Sequence, residues 1–249
     1  MKNFLVKSLY EIQSPDWDIR DRSRETDLYN KYVECHQLSL DSFKRRLLGE
    51  WDYKFIGGKF DTIHLALRHT FYEVYKLWKD HAPCNILYTD PDTILRDWLD
   101  IWGRYPNFMM FNFSEPKHFH VKNRYEAYFE HFFNAGVRYF PATMSERTWQ
   151  IGLDMAEQWD LDDYNTEQII LNRMLWGQGL TMPEALVPNL VYQAHWLPGM
   201  DTWRQDIWNG VHINTACILH VHSSRNIDKK LEWMRQIANA DKMVSQNRP

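Results

Sequence analysis

The segment Asp90-Pro91-Asp92 sets two carboxylates two residues apart, directly after the run Cys84-Asn85-Ile86-Leu87-Tyr88-Thr89. That run reads as a buried strand. Side chains two apart on an extended chain point the same way, so both carboxylates can face one ligand. The proline between them stiffens the geometry. An open α/β sheet places its ligand chemistry at the carboxyl ends of its strands. Two hard oxygen ligands side by side suit a divalent cation, and such a cation suits a diphosphate. The competing reading is a solvated turn, where aspartate and proline are common.

Three further elements carry polar groups with chemical use. Asn134-Ala135-Gly136-Val137 interrupts the apolar stretch Phe132 to Phe140. A glycine there is either a strand bulge or a point of close backbone approach to a ligand. An asparagine amide both donates to and accepts from hydroxyls. Glu167-Gln168 falls in the first turn of a helix opened by Asn165. A capping box and a favourable helix dipole explain that pair without any substrate. His220-Val221-His222 ends the last strand and is followed by Arg225, Lys229 and Lys230. A lone histidine on an apolar strand is ordinarily a satisfied core residue. Two of them at a strand end suit manganese better than magnesium, which prefers oxygen. The three basic residues either neutralise phosphate or form a solvated helix face.

The elements that must position these groups alternate along the chain. Strands are expected at Phe4 to Leu9, Trp51 to Ile56 (ended by Gly57-Gly58), Asn85 to Thr89, Phe108 to Phe113, Phe132 to Phe140 and Ala216 to Val221. Helices are expected at Leu28 to Leu48, Ile63 to Trp78, Ile94 to Ile101, Trp149 to Trp159 capped by Ser145, Asn165 to Trp176, and Asp228 to about Ala238. Their warrants are three-to-four-residue apolar spacing and cap residues. Ser114 to Tyr125 reads as a polar loop, Thr181 to Trp208 resists assignment, and the tail from Asp241 reads as frayed. Alternating strands and helices imply an α/β domain with a mostly parallel central sheet flanked by helices. A single catalytic domain over residues 1–249 is the simpler organisation.

Bulk composition narrows the function classes. The 249 residues are enough to bury a sizeable core. A net charge of −4 argues against a broad nucleic-acid footprint. Three widely spaced cysteines, Cys35, Cys84 and Cys217, do not form a disulfide framework, which fits a reduced, cytoplasmic setting. No segment approaches the roughly 20 apolar residues of a membrane span. Peripheral contact through the basic carboxyl-terminal helix stays open. The 12 Trp, 13 Tyr and 13 Phe fit carbohydrate handling and an aromatic core equally well.

The four segments Ile86 to Asp92, Phe133 to Val137, Glu167 to Asn172 and Ile218 to Ser223, in that order, resemble those of nucleotide-sugar glycosyltransferases with the GT-A fold. The likeness is to the retaining, glycogenin-like and lipopolysaccharide-galactosyltransferase-like group, and it spans about Phe4 to Lys230. It implies that Asp90, Asp92 and His220 hold Mn2+ (or Mg2+) bridging the diphosphate of a UDP-sugar donor. Asn134, Ala135 and Gly136 would line the donor-sugar pocket. Glu167 and Gln168 would lie beside the anomeric carbon, and Tyr10 near the nucleotide base. Arg225 or Lys229 would add hydrogen bonds at the phosphates. The family also carries an arginine in the helix before the carboxylate pair, for which Arg68 is the candidate. The acceptor would be a glycan or glycolipid hydroxyl, met in part by Pro183 to Asn209. Two other classes fit the same carboxylates or aromatics: a metal-dependent phosphoryl-transfer or hydrolytic enzyme, and a non-catalytic glycan-binding protein.

Overall fold

The computed structural model describes residues 1–12, 28–114, 117–121, 125–129, 131–157, 166–185, 187, 190–195, 204–205, 216–222 and 227–245. Within them the chain runs β1 (Lys2–Ile12), α1 (Leu28–Arg46), β2 (Asp52–Phe60), α2 (Ile63–His81), β3 (Cys84–Thr89), β4 (Thr93–Leu95) and β5 (Met109–Ser114). It continues through β6 (Lys117–Val121), β7 (Tyr125–Phe129), β8 (Phe132–Phe140), α3 (Glu146–Ala156) and α4 (Thr166–Trp176). It ends with α5 (Met182–Ala185), β9 (Val191–His195), β10 (Arg204–Gln205), β11 (Ile218–His222) and α6 (Ile227–Ser245).

The central sheet has the order β2-β1-β3-β8-β5. β1 pairs parallel with both β2 and β3, while β8 runs antiparallel to β3 and β5. Four of the five strands therefore share one direction and β8 opposes them. All six residues of β3 are buried, as a central strand covered on both faces must be. β2 lies at the edge and exposes much of its length. Leu5 joins one apolar cluster with Leu40 and Phe43 of α1, whereas Phe4 and Val6 join another with Phe71 and Val74 of α2. The two crossover helices thus cover opposite faces. The carboxyl ends of β1 and β3 form the switch point where such sheets bind ligands.

Aromatic side chains build the α2 face. Trp149 is buried and stacks on Phe140 with ring centroids 5.1 Å apart, beside Phe71, Tyr75 and Trp78. Here the aromatic content serves packing. Ser145 caps α3 by accepting from the Thr148 N–H, and Thr62 caps α2 by accepting from Leu65.

A second sheet, β10-β9-β11-β4, pairs β11 parallel with β9 and antiparallel with β4. Several expected elements change here. The helix expected over Ile94 to Ile101 is instead strand β4 and an irregular segment, because Ile94 and Leu95 are drawn into the ladder with β11. The loop expected over Ser114 to Tyr125 contains β6, which pairs antiparallel with β7. β1 runs past Leu9 to Ile12, and β2 runs through Gly57-Gly58 to Phe60, since the two strands stay in register to their ends. α6 continues through the expected frayed tail to Ser245. The cap residue Asn165, Trp159 and half of the unassigned stretch from Thr181 to Trp208 lie outside the described residues. Cys35, Cys84 and Cys217 are free thiols. Among the described residues no helix is long and apolar enough to cross a membrane.

Candidate active site

Asp90-Pro91-Asp92 is the turn by which the chain leaves the central sheet for the second one. Asp90 follows the last residue of β3 and donates its N–H to Gly136 O of β8 at 2.8 Å. Asp92 accepts at its carbonyl from Val221 N of β11 at 2.9 Å. Thr93 Oγ1 donates to Asp90 O at 2.8 Å and closes the turn. The carboxylates therefore meet because a turn folds them together, not because an extended strand aligns them. That is a correction to the geometry expected from the sequence, and its cause is the change of sheet between Thr89 and Thr93.

β11 brings His220 to the same point. Its side chain is buried, with Nε2 3.2 Å from Asp92 Oδ1 and 3.6 Å from Asp90 Oδ2. One ligating atom from each of the three residues lies within 4.8 Å of the others. The side chain of Asp90 is 34 % exposed and that of Asp92 only 8 %, so Asp90 is open to solvent and Asp92 is buried. Asp92 Oδ2 accepts from Lys230 Nζ of α6 at 2.5 Å. Asp92 Oδ1 is buried and, among the described residues, accepts no well-aligned hydrogen bond, although His220 Nε2 lies 3.2 Å away. Burial opposes the charge on Asp92, but Lys230 and His220 outweigh it and hold the carboxyl far below the usual range. Two carboxylates and an imidazole this close together form a ligand set that could hold a divalent cation.

β8 supplies the third wall. Between the pairs Met110↔Arg138 and Asn112↔Asn134, β8 advances four residues while β5 advances two. The extra residues form a bulge around Gly136. A Cβ at Gly136 would lie 2.7 Å from His220 Nδ1 and 2.9 Å from Asp90 Oδ2, so only glycine lets the two groups approach. The bulge reading and the close-approach reading of this glycine are thus the same feature. Asn134 Oδ1 accepts from Gly136 N at 2.9 Å and its amide donates to Gln168 Oε1 at 3.2 Å. Ala135 is buried against the aromatic core.

α4 carries Glu167 and Gln168 to the bulge. Asn172, one turn on, accepts from Phe133 N at 2.8 Å and donates to Phe133 O at 2.8 Å. β3 ends at Thr89, opposite Val137, so Asn172 takes the ladder position that no strand fills. Glu167 is buried and its Oε1 accepts from Arg138 Nη1 at 2.7 Å. Burial pushes the Glu167 carboxyl up and Arg138 opposes that rise. The Arg138 guanidinium also sits 3.9 Å from the Tyr88 ring centroid.

The other expected residues that the structure describes have partners of their own. Tyr10 lies within β1, its ring against Phe60 and its hydroxyl bonded to Thr70, half-buried beside the core. Lys229 pairs with Glu232 at 3.0 Å on the exposed face of α6, while the adjacent Lys230 turns inward to Asp92. Arg225 lies outside the described residues. Arg68 lies over Tyr72, and the arginine that meets Glu167 is Arg138 of β8. Sequence reasoning also missed Lys7. Its ammonium donates to Ser39, Thr89, Thr93 and Asp90 O beneath the turn, and burial lowers it to about 7 against the pull of Asp90 and Asp92.

No family model and no curated protein matches the chain. Solved structures do resemble it. A bifunctional glycosyltransferase, WbbM, aligns over 96 % of this chain and 51 % of its own, with TM-score 0.50 and 10 % identity. The galactosyltransferase LgtC, solved with donor and acceptor sugar analogs, covers 95 % of each chain with TM-score 0.48 and 15 % identity. A glycosyltransferase involved in glycosylation of the major capsid of PBCV-1 aligns over 95 % of this chain and 100 % of its own, with TM-score 0.48 and 8 % identity. The likeness to WbbM is one of fold, an α/β architecture around a mostly parallel sheet, and this chain spans about half of that protein's length.

Proposed function

We propose that this chain is a metal-dependent glycosyltransferase, a single catalytic domain that moves a sugar from a UDP-sugar to a hydroxyl of a glycan or glycolipid. The observation that carries this reading is the meeting of Asp90, Asp92 and His220 at the switch point of the sheet, with ligating atoms within 4.8 Å. A divalent cation bound there would supply Lewis-acid neutralisation of the departing diphosphate. Asp90, the more exposed ligand, is the one open to the donor, while Asp92 and His220 are buried. Asn134 and Gln168 present their amides at the wall where the donor sugar would lie. Arg225 and Lys229 remain candidates for the phosphates.

Retention is the stereochemistry this reading favours. An inverting enzyme needs a base that can take the acceptor proton. Glu167 would be that base, yet it is buried and held by Arg138 at 2.7 Å. A cytoplasmic setting belongs to the same proposal, with the free thiols as its support.

A thermal-shift screen of UDP- and GDP-sugars, with and without Mn2+, tests the proposal. Stabilisation by a UDP-sugar that requires Mn2+ and is lost in Asp92→Asn is the expected result. Absence of metal-dependent stabilisation by every donor overturns it.

A further inference from the structure

Lys230 has a different relation to the carboxylate pair from every other basic residue of the site. It is 3 % exposed and gives its ammonium to Asp92 Oδ2 at 2.5 Å. Its ammonium also lies 5.1 Å from the Tyr32 ring centroid. It is not carried on a free arm. Leu231, Met234 and Ala238 of α6 are buried, the first two in a cluster with Cys35, Ile94 and Val221. Arg235 clamps Glu34 of α1 through two bonds at 2.5 and 2.6 Å, and Lys31 of α1 pairs with Asp228 at 2.7 Å. The helix is thus tied to α1 in its first turn and again two turns on, and Lys230, between the two ties, is fixed against Asp92.

Two consequences follow. Asp92 is left with one available ligand atom, Oδ1, the buried acceptor that no well-aligned hydrogen bond satisfies among the described residues. A cation at Oδ1 would also lie within a few ångströms of a fixed ammonium. Charges at such separation repel strongly in a partly buried site. Of the two carboxylate charges that attract the metal, Lys230 already balances one.

Resting on the glycosyltransferase reading of this site, we propose that Lys230 is a positioning residue that restricts Asp92 to single-atom ligation through Oδ1 and couples metal binding to the donor diphosphate. Without the nucleotide, the fixed ammonium keeps divalent-metal affinity low. The negative charge of the diphosphate offsets the ammonium, so metal and nucleotide bind as a mutually dependent pair.

Titration of the full chain with Mn2+, read by the EPR signal of the free ion, tests this without any turnover. The wild-type chain is expected to bind Mn2+ at least about tenfold more tightly with UDP than without it. Lys230→Gln keeps a hydrogen bond to Asp92 but removes the charge. It should bind Mn2+ about tenfold more tightly than wild type when UDP is absent, and gain less from UDP. Lys230→Arg should keep the wild-type pattern. Donor-free affinity that is unchanged or weaker in Lys230→Gln overturns the role of Lys230 and leaves the transferase reading standing. No Mn2+ binding by the wild type even with UDP overturns both. Should Lys230→Gln not fold, a wild-type affinity that UDP changes less than about twofold overturns the coupling by itself.

Discussion

Two buried ion pairs flank Gly136, and they are built differently. On the side of α4, Arg138 Nη1 meets Glu167 Oε1 at 2.7 Å, and both side chains are under a tenth exposed. On the side of α6, Lys230 meets Asp92 at 2.5 Å in similar burial. Among the described residues the first pair is closed to a cation: it leaves no carboxylate oxygen buried without a partner, its one spare group is a donor, Arg138 Nε, and the Tyr88 ring backs it. The second leaves Asp92 Oδ1 without a well-aligned hydrogen bond and turned towards His220. A closed pair of buried charges is scaffold: it fixes α4 against β8. An open pair is a ligand set, since its spare acceptor has a use only when something positive arrives. The contrast separates two carboxylates that look alike in burial and assigns them different work.

Breaking the closed pair has the largest expected effect. Arg138→Met leaves the Glu167 carboxylate buried without its cation and removes the stacking on Tyr88. Loss of one partner of a buried pair costs about 3–5 kcal/mol. Urea unfolding should show a loss of that size, with most of it recovered in Arg138→Met/Glu167→Gln, where no charge is stranded. A double variant no more stable than Arg138→Met would mean that the guanidinium acts mainly through Tyr88.

The open side is probed by Gly136→Ala. The added Cβ would meet His220 Nδ1 at 2.7 Å and Asp90 Oδ2 at 2.9 Å, so both must give way. Displaced ligands and supporting groups typically cost 10–100-fold in metal affinity, about 1.4–2.7 kcal/mol. Mn2+ affinity in the presence of UDP should fall by that factor while the unfolding midpoint moves little. Unchanged affinity would show that the bulge does not set the approach of the ligands.

How much of this contrast could be read in the chain depends on which interaction made it. Asp90, Asp92 and His220 were visible because each lies in or just after an apolar strand, near its carboxyl end, and such runs are legible in the chain. Arg138 was not, because it reads as a polar interruption within Phe132 to Phe140, and its partner lies 29 residues away. The β8 bulge also breaks the alternation from which its facing would be read. Lys230 did leave a trace. Ile227, Leu231, Met234 and Ala238 mark the inward face of α6, and Lys230 falls within that face while Lys229 does not. The helix expected at Ile94 to Ile101 failed for the opposite reason. Its apolar residues suited a helix locally, and the ladder with β11 claimed Ile94 and Leu95 instead.

The smallest expected effect concerns how α4 is joined to the sheet. β3 stops at Thr89, so the edge of β8 beside Phe133 has no strand to receive its N–H and carbonyl. Asn172 supplies both partners at 2.8 Å each, and its amide also reaches Gln168 O at 2.8 Å. Asn172 is buried, so water cannot replace it. Asn172→Ala would strand two main-chain groups at a cost of about 1–3 kcal/mol, less than the loss of Arg138 because neither group is charged. Asn172→Asp keeps the acceptor for Phe133 N but turns the donor to Phe133 O into a second acceptor. It should therefore be at least as destabilising as alanine. Donor binding should weaken along with stability, since Gln168 and its bond to Asn134 depend on the seating of α4. If Asn172→Ala lost stability while UDP-sugar affinity stayed intact, the closed pair of Arg138 and Glu167 would be enough to seat α4 unaided.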